Sequence, residues 1–281
     1  MKRMMSLCCG LLCAGAAVAV QEEDWIETLV GKTEVGTLPD APPRDVPLST
    51  FSGISEEKMK ALAPEGTVKL WRNIFAFVLG ETKETKVLVD TGMGEAGSLL
   101  AKVFGDIEPP DIILLTHLHA DHTGGLMDGD KARFPNAKVY MPKPALDHWK
   151  DTTDERMRKI FNAYGDRILG FTDGEEIIPG LFGRFAFGHT PGHALYETAD
   201  ILFVGDLLHA ASLQFAHPEI CASFDMDKPA AVAQRKLWLK KAADSGKPIA
   251  GCHLPYIGKV KVKGEGFEFE EVKNVRKFPI N

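Results

Sequence analysis

Three histidines and an aspartate fall within six consecutive residues, in the run His117-Leu118-His119-Ala120-Asp121-His122. Side chains two residues apart in an extended chain project to the same side, so His117, His119 and Asp121 would face one way, with a turn at His122. One ion cannot easily take all four side chains from so short a loop, but two neighbouring ions can divide them. Imidazole and carboxylate ligands suit Zn²⁺ and its first-row relatives. The run therefore favours a metal site over a polar loop with accidental histidines.

Other residues of the ligand type follow predicted strands elsewhere in the chain. The apolar residues 111–115 lead directly into the first run, and three further turns carry candidate ligands: Gly188-His189-Thr190-Pro191-Gly192-His193, Gly205-Asp206 and Cys252-His253. Each of these turns is a weak signal alone, because a lone Asp or His is more often a cap or a satisfied polar residue. Together with the first run they complete two coordination shells.

The apolar periodicity alternates between strands and helices along the chain. It predicts helices over 98–104, over 144–164 with a polar interruption at 151–154, and over 230–243. It predicts strands over 69–79, 86–89, 111–115, 137–141, 175–178, 184–187, 194–197, 201–204, 248–251, 259–262 and 267–272. This pattern indicates an α/β sandwich with the sheets inside and the helices outside.

The N-terminal region predicts an exported protein. Lys2 and Arg3 precede an apolar run, and Ala17-Val18-Ala19 fits a cleavage site, so residues 1–19 are predicted to be a signal peptide. The run is short for a membrane span, which argues against stable membrane insertion. We expect a periplasmic or secreted protein in which residues 20–50, rich in proline, form an arm and residues 51–281 form one domain that carries the candidate ligands.

The net charge limits the classes of binding partner, and the cysteine content limits the possible disulfides. The 281 residues carry a net charge of −6 without a basic stripe, so nucleic acid is an unfavourable partner and a small-molecule substrate is expected. Cleavage after Ala19 would leave Cys221 and Cys252, for which a disulfide and two separate buried thiols are equally compatible with export.

The motifs in combination resemble the metallo-β-lactamase superfamily over roughly residues 70–262. Asp90-Thr91-Gly92, the His-x-His-x-Asp-His run, Gly-His-Thr-Pro-Gly-His, Gly-Asp and the late histidine occur in the family's order. The resemblance implies a four-layer αββα sandwich with a two-metal hydrolytic site. It also implies two Zn²⁺ ions, although His and Asp ligands accept Mn²⁺, Fe²⁺ or Co²⁺ as well.

The same resemblance assigns roles to individual residues. His117, His119 and His189 would hold the first metal, Asp121, His122 and His253 the second, and Asp206 would bridge the two. A hydroxide shared by the metals would attack the substrate, and Asp121 could pass a proton to the leaving group. Three further residues are expected to support the site: Asp90, which would orient a ligating imidazole, His193, and His209, which could equally be a satisfied polar residue.

Several stretches resemble the methyl parathion hydrolase group within the superfamily, notably residues 205–209, 213–219, 224–225 and 252–258. The resemblance implies hydrolysis of a neutral ester, lactone or phosphotriester, whereas true β-lactamases generally have Cys or Ser in place of Asp206. The alternatives are an N-acyl-homoserine lactone lactonase and a non-catalytic metal-binding protein. Related enzymes are often dimers, so a homodimer is a further expectation. Trp149 and Phe161 could pack in the apolar core or line a substrate pocket, and core packing is slightly favoured.

Overall fold

The computed structural model describes residues 26–80, 84–94, 108–273 and 275–277. The β-strands are β1 (Ile26–Val30), β2 (Thr33–Pro39), β3 (Arg44–Pro47), β4 (Phe51–Ser52), β5 (Thr67–Leu70), β6 (Asn73–Leu79), β7 (Thr85–Val89), β8 (Ile112–Leu114), β9 (Met127–Asp128), β10 (Lys131–Ala132), β11 (Lys138–Pro142), β12 (Ile168–Phe171), β13 (Glu176–Ile178), β14 (Leu181–Phe185), β15 (Ala194–Glu197), β16 (Leu202–Phe203), β17 (Cys221–Ala222), β18 (Ile249–Ala250), β19 (Gly258–Lys263), β20 (Gly266–Glu271) and β21 (Val275–Lys277). The α-helices are α1 (Glu56–Leu62), α2 (Ala120–Thr123), α3 (Lys143–Trp149), α4 (Glu155–Tyr164), α5 (Ala211–Gln214) and α6 (Lys228–Ser245). Short 3₁₀ turns lie at Leu48–Thr50, Gly124–Leu126, Gly165–Arg167 and Gly205–Leu207.

Two large sheets organise the described residues. The first has eight strands in the order β12-β11-β8-β7-β6-β2-β1-β21, and the second has seven in the order β13-β14-β15-β16-β18-β19-β20. Strands β7, β8, β11 and β12 run parallel to one another in the first sheet, and β16 runs parallel to β18 in the second. The parallel neighbours place several strand ends at a common edge, where sites are often built.

The alternation of side chains along the strands separates four layers. On β8, Ile112 and Leu114 belong to the apolar cluster between the two sheets, whereas Ile113 belongs to the cluster beneath α3 and α4. In the second sheet, Phe203 faces the first sheet, whereas Leu202 packs in the cluster beneath α6. The order of layers is therefore helix, sheet, sheet, helix, which is the predicted αββα sandwich.

The two long helices begin at side-chain caps that the sequence encodes. The Asp154 carboxylate accepts a hydrogen bond from the Met157 amide (2.8 Å) at the start of α4, and the Asp227 carboxylate accepts one from the Ala230 amide (3.0 Å) at the start of α6. Such caps satisfy amides that have no partner within the helix. Helix α6 ends at Gly246, whose left-handed backbone suits glycine.

The prediction of an arm over residues 20–50 is wrong for its described part. Strands β1 and β2 pair with each other within the first sheet, and β2 also pairs with β6. Only Val35 and Leu38 of β2 are large apolar residues that are buried, and the prolines lie at strand ends, so the alternation is too weak to recognise. The predicted strand over 69–79 is also two strands, because at Trp71 and Arg72 the chain passes from the two-stranded sheet of β3 and β5 into the first sheet.

Some expectations fall outside the described residues, namely the signal peptide at 1–19 and the helix at 98–104. Among the residues that the structure describes, no helix is both long and apolar enough to cross a bilayer. Cys221 and Cys252 are both buried and both free thiols, so the structure has no disulfide between them.

Candidate metal centre

The first cluster joins the run after β8 to the histidine loop between β14 and β15. The Ala194 amide donates to the Thr116 carbonyl (2.8 Å), which holds that loop against the run. His117 Nε2, His119 Nδ1 and His189 Nε2 then lie 2.9–3.2 Å from one another. Asp206 Oδ2 completes the group at 3.3 Å from His189 Nε2 and 3.8 Å from His117 Nε2.

The proton positions in this cluster favour a cation. The Nδ1–H of His189 donates to Asp225 Oδ1 (3.1 Å), and the Nδ1–H of His117 donates to Thr116 Oγ1 (3.2 Å). Each ring therefore points a lone pair, not a proton, at the other across 3.2 Å. Ligands of a tetrahedral zinc ion with Zn–N bonds of about 2.0–2.1 Å lie roughly 3.3 Å apart, so the group fits such an ion.

The second cluster shares Asp206 with the first. Asp206 Oδ1 lies 3.2 Å from His122 Nε2, and Asp206 Oδ2 lies 3.1 Å from His253 Nε2. Asp121 closes the group at 3.8 Å from each of these two histidines. His122 Nε2 and Asp206 Oδ1 are buried and have no hydrogen-bond partner within the described structure, which an ion between them would supply. The seven predicted ligands thus come together as two groups joined through Asp206.

Asp90 contacts the second group through the His122 ring nitrogen that faces away from the candidate metal position. Its carboxylate accepts hydrogen bonds from the Thr116 amide (2.8 Å), the Thr116 hydroxyl (2.9 Å) and His122 Nδ1–H (2.8 Å). Asp90 has a backbone φ of 59°, the one positive value at a non-glycine residue in the described ranges. The carboxylate fixes the His122 tautomer so that Nε2 is free to bind a metal. The aspartate is therefore placed as expected, on a strained backbone that the sequence did not indicate.

Asp225 and Arg235 support the first group, although the sequence indicated no such role for either residue. Asp225 Oδ1 accepts from His189, while Asp225 Oδ2 lies 3.3 Å from the Arg235 guanidinium. Arg235 is fully buried on α6 and also donates to the carbonyls of Leu207, Pro218 and Ile220. An arginine on the apolar face of the predicted helix was the available signal, since a buried charge requires partners.

The last ligand is held by a backbone carbonyl. His253 Nδ1–H donates to the Trp71 carbonyl (2.5 Å), in the link between β5 and β6. Cys252 places its thiol among His122, Asp206 and His253. No metal role was expected for this cysteine from the sequence, although it directly precedes His253.

His193 positions the shared aspartate rather than joining a cluster. Its Nδ1–H donates to the Ala186 carbonyl (3.0 Å), and its Nε2 accepts from the Asp206 amide (3.0 Å). Burial lowers the pKa of His193 to about 3, so the ring stays neutral. Gly205 passes so close that an added Cβ would lie 2.7 Å from His193 Nε2, which leaves room only for glycine.

His209 lies at the inner wall of the pocket. Its Nε2 is 3.3 Å from Asp206 Oδ2, and neither ring nitrogen has a hydrogen bond of good geometry in the described structure. The ring stacks on His253, with centroids 5.2 Å apart. Burial lowers the pKa of His209 to about 4 against the opposing effect of Asp206, so the imidazole is neutral. A neutral ring facing the pocket can donate one hydrogen bond and accept another.

Burial and neighbouring charges shift the pKa values of the candidate histidine ligands in opposite directions. Burial lowers the pKa of His117 well below its usual range and that of His119 to about 4. Burial is the largest effect on His122 and His253 and opposes their protonation, but Asp206 and the neighbouring groups, Asp90 at His122 and Cys252 at both rings, together raise the pKa of both. A metal would compete with protons at these two rings.

The clusters form the floor of a cavity of about 480 Å³. His119, Asp121, His189, Asp206 and His253 line it together with His209. Trp149 and Phe161 instead pack against the apolar core beneath the helices, which agrees with the assignment to core packing.

Comparison with curated proteins gives partial matches. The chain is 31% identical over 143 residues to a hydroxyacylglutathione hydrolase from Klebsiella pneumoniae subsp. pneumoniae, covering 50% of each chain. It is 28% identical over 197 residues to the lactamase-like protein aptB from Emericella nidulans, covering 66% of this chain and 53% of the relative. The chain thus matches about half the length of these relatives.

Two solved structures match nearly the whole chain. The dizinc quorum-quenching lactonase AidC is 26% identical with a TM-score of 0.77, covering 88% of this chain and 97% of AidC. The hydrolase AbOPH, of the beta-lactamase superfamily, is 26% identical with a TM-score of 0.80, covering 90% of this chain and 99% of AbOPH. The model of the metallo-beta-lactamase superfamily matches residues 70–253, a span that contains every candidate ligand. The chain belongs to the metallo-beta-lactamase superfamily.

Proposed function

We propose that the protein is a dinuclear zinc hydrolase that cleaves a carboxylic ester or a lactone. The observation that carries the proposal is the sharing of Asp206 between two histidine groups at the floor of one cavity. His117, His119 and His189 would hold one ion, Asp121, His122 and His253 the other, with Asp206 between them. Bound there, two cations would activate a water as the nucleophile and stabilise negative charge developing on the substrate.

The protein's own residues supply positioning and proton transfer. Asp121 lines the cavity and is the partly exposed carboxylate of the site, with 27% of its side chain accessible. Burial and Asp206 would raise the pKa of Asp121, but His122, His253 and a backbone hydrogen bond together lower it, so the carboxylate is ionised and can accept a proton. It can then pass this proton to the departing alkoxide. The neutral His209 can hold a substrate oxygen by a hydrogen bond at the same floor.

Similarity to AidC favours a lactone, and the N-acyl-homoserine lactones are the first class to test. A phosphotriester is the second candidate, supported by the stretches that resemble the methyl parathion hydrolase group, such as residues 205–209. The lactone has an electrophilic carbon and the phosphotriester an electrophilic phosphorus, and the same nucleophile could attack either atom. The same site would serve either reaction, so the choice depends on the walls of the cavity.

The experiment is hydrolysis by zinc-loaded protein of an aryl ester, N-hexanoyl-homoserine lactone and an aryl phosphotriester, together with the zinc content per chain. We expect about two zinc ions, turnover of the ester or lactone, and loss of turnover when a chelator removes the zinc. The Asp206→Asn variant serves as the inactive control. Turnover that survives complete removal of metal, or no turnover of all three, would refute the proposal.

We also propose that the protein is exported to the periplasm or secreted, on the strength of residues 1–19. Mass spectrometry of the mature protein should show an N-terminus near residue 20. Retention of Met1 in protein isolated from its native cells would refute export.

A further inference from the structure

Two arginines line the same cavity as the metal ligands. Arg44 is the first residue of β3, and Arg72 lies in the link between β5 and β6. The register of β3 and β5 pairs Arg44 with Leu70, two residues before Arg72. The two guanidiniums therefore come from adjacent backbone segments at one wall, facing the cavity whose floor holds the ligands.

The backbone that carries Arg72 is fixed to the metal-binding loop. The Arg72 carbonyl accepts from the Asp40 amide (2.8 Å), and the preceding Trp71 carbonyl accepts from the ligand His253 (2.5 Å). The following Asn73 donates from its backbone to the Cys252 carbonyl (2.9 Å) and from its side chain to the Leu254 carbonyl (2.8 Å). The backbone of Arg72 is thus held in a rigid segment on one side of the candidate site.

Neither guanidinium is neutralised within the described ranges of the chain. The structure shows no ion pair or side-chain hydrogen bond there for Arg44 or Arg72. Asp45, the acidic neighbour of Arg44 in sequence, is paired with Lys69 at 2.9 Å. The acidic side chains that line the cavity are Asp121 and Asp206, and both belong to the metal clusters. The arginines are therefore available to a ligand.

The charge of the cavity is opposite to that of the whole protein. The chain carries a net charge of −6. Two divalent cations would more than offset the carboxylates of Asp121 and Asp206, and the arginines add two further positive charges at the wall. A cavity of this kind concentrates field lines and attracts anions.

We propose that the substrate carries an oxyanion, a carboxylate or a phosphate, which Arg44 and Arg72 bind while the scissile bond lies over the metals. The proposal rests on the hydrolase function proposed above and names the class of ester or lactone, in place of the neutral substrates that the sequence suggested. Arginine binds both oxyanions through paired N–H groups. Leu70, Met93 and Phe224 line the same cavity and would contact the apolar part of the substrate.

The first test compares two esters of equal acyl length, mono-(4-nitrophenyl) glutarate and neutral 4-nitrophenyl pentanoate, on zinc-loaded protein. We expect kcat/KM to be about tenfold higher for the glutarate ester, and this preference to shrink as salt screens the arginines. In Arg44→Gln and Arg72→Gln, the ratio of the two kcat/KM values should fall several-fold, mainly through KM for the glutarate ester. The control is Arg158→Gln on α4, which removes an exposed arginine outside the cavity and should keep the wild-type ratio.

The second test measures binding and does not depend on turnover. Calorimetry on the zinc-loaded protein should show that glutarate binds about tenfold more tightly than pentanoate, because only glutarate has a carboxylate left for the arginines after one contacts the metals. The double variant with both glutamines should bind the two acids within about twofold of each other. Titration with 4-phosphonobutanoate identifies which oxyanion the arginines prefer.

The outcomes separate this proposal from the proposed function. Hydrolysis of the pentanoate ester with equal affinity for glutarate and pentanoate would retain the hydrolase and overturn the anion site. A preference for glutarate that persists in the double variant would also overturn it. No hydrolysis of either ester, with a preference for glutarate that the double variant loses, would support the anion site and count against ester hydrolysis.

Discussion

Three imidazoles of the candidate ligands are oriented through their second ring nitrogen, two by a carboxylate and one by a backbone carbonyl. His122 donates to the Asp90 carboxylate, His189 to the Asp225 carboxylate, and His253 to the Trp71 carbonyl. These hydrogen bonds fix the tautomer that presents a lone pair to the metal. The first two also place negative charge behind the ring, which strengthens the imidazole as a ligand.

Removing the charge behind His189 should weaken the first metal site. In Asp225→Asn, the amide keeps the size of the side chain but loses the carboxylate that His189 and Arg235 share. We expect zinc affinity at one site to fall about 10- to 100-fold, with a similar loss of kcat/KM. Competition with a chromophoric chelator measures the affinity.

Asp147→Asn is the matched control, because Asp147 lies on the exposed face of α3 in an ion pair with Lys143. The control should bind zinc as the wild type does. Equal zinc affinities of Asp225→Asn and Asp147→Asn would show that the hydrogen bond to His189 does not tune the metal.

The candidate ligands that the structure brings together could be named from the sequence because each is a His or Asp in a short motif that follows a strand. Arg235 and Trp71 contribute through a buried guanidinium and a backbone carbonyl, and neither contact is specified by local sequence. The left-handed backbone conformation of Asp90 could not be predicted from the sequence either, because aspartate adopts it only when the surrounding structure imposes it.

At the scale of elements, helix α4 is tied to the turn that follows the first metal-binding run. The Tyr164 hydroxyl donates to the Leu126 carbonyl (2.8 Å) and lies 3.4 Å from the Phe134 amide. Leu126 belongs to the 3₁₀ turn that begins directly after α2, which carries Asp121 and His122. The contact therefore stabilises the shape of the ligand loop.

The variant Tyr164→Phe should destabilise the protein in a pH-dependent way. At about pH 8 it leaves the Leu126 carbonyl unpaired, at a cost of about 1–2 kcal/mol. Burial raises the pKa of Tyr164 to about 12, so between about pH 10 and 12 the unfolded chain releases a proton that the folded chain retains. The wild type then loses roughly 1.4 kcal/mol per pH unit from this group, and the variant does not.

The difference in unfolding free energy between the two proteins should therefore shrink from about pH 8 to about pH 11. Urea unfolding at both values measures it. A difference that is equal at the two pH values would show that Tyr164 ionises alike in the folded and unfolded chains.

Element type was more predictable than element pairing. The interruption predicted at 151–154 separates α3 from α4 as expected, because Asp154 is an N-cap. The break between β5 and β6 was not predictable, since it depends on contacts of Trp71 and Arg72 with Asp40 and His253, which are remote in sequence. Strands β1 and β2 were missed because few of their residues are large and apolar: the buried stretch of β2 contains Gly36 and Thr37 between Val35 and Leu38.

At the scale of the whole molecule, the candidate metal centre brings together residues from both halves of the sandwich. The run after β8 belongs to the first sheet, whereas Asp206 and His253 follow β16 and β18 of the second. An ion bound by both sets would link the sheets and stabilise only the folded state.

Zinc should therefore raise the melting temperature. We expect an increase of at least about 5 °C when zinc is restored to chelator-treated protein, since a ligand at 100 times its Kd contributes about 2.7 kcal/mol per site. Differential scanning calorimetry measures the shift. Mg²⁺ is the control, because it prefers oxygen ligands and should give little change. Equal shifts with Mg²⁺ and Zn²⁺ would contradict a histidine-based site.

The pairing of β1 with β21 has a consequence for the timing of biosynthesis. Strand β1 emerges early from the ribosome, but the strand that covers its outer side is the last one described in the chain. The first sheet therefore lacks its outermost described strand until β21 has been made, and contacts between residues so far apart in sequence slow folding. Until β21 pairs with it, β1 is an open edge of the sheet, where unpaired backbone groups can pair with another chain.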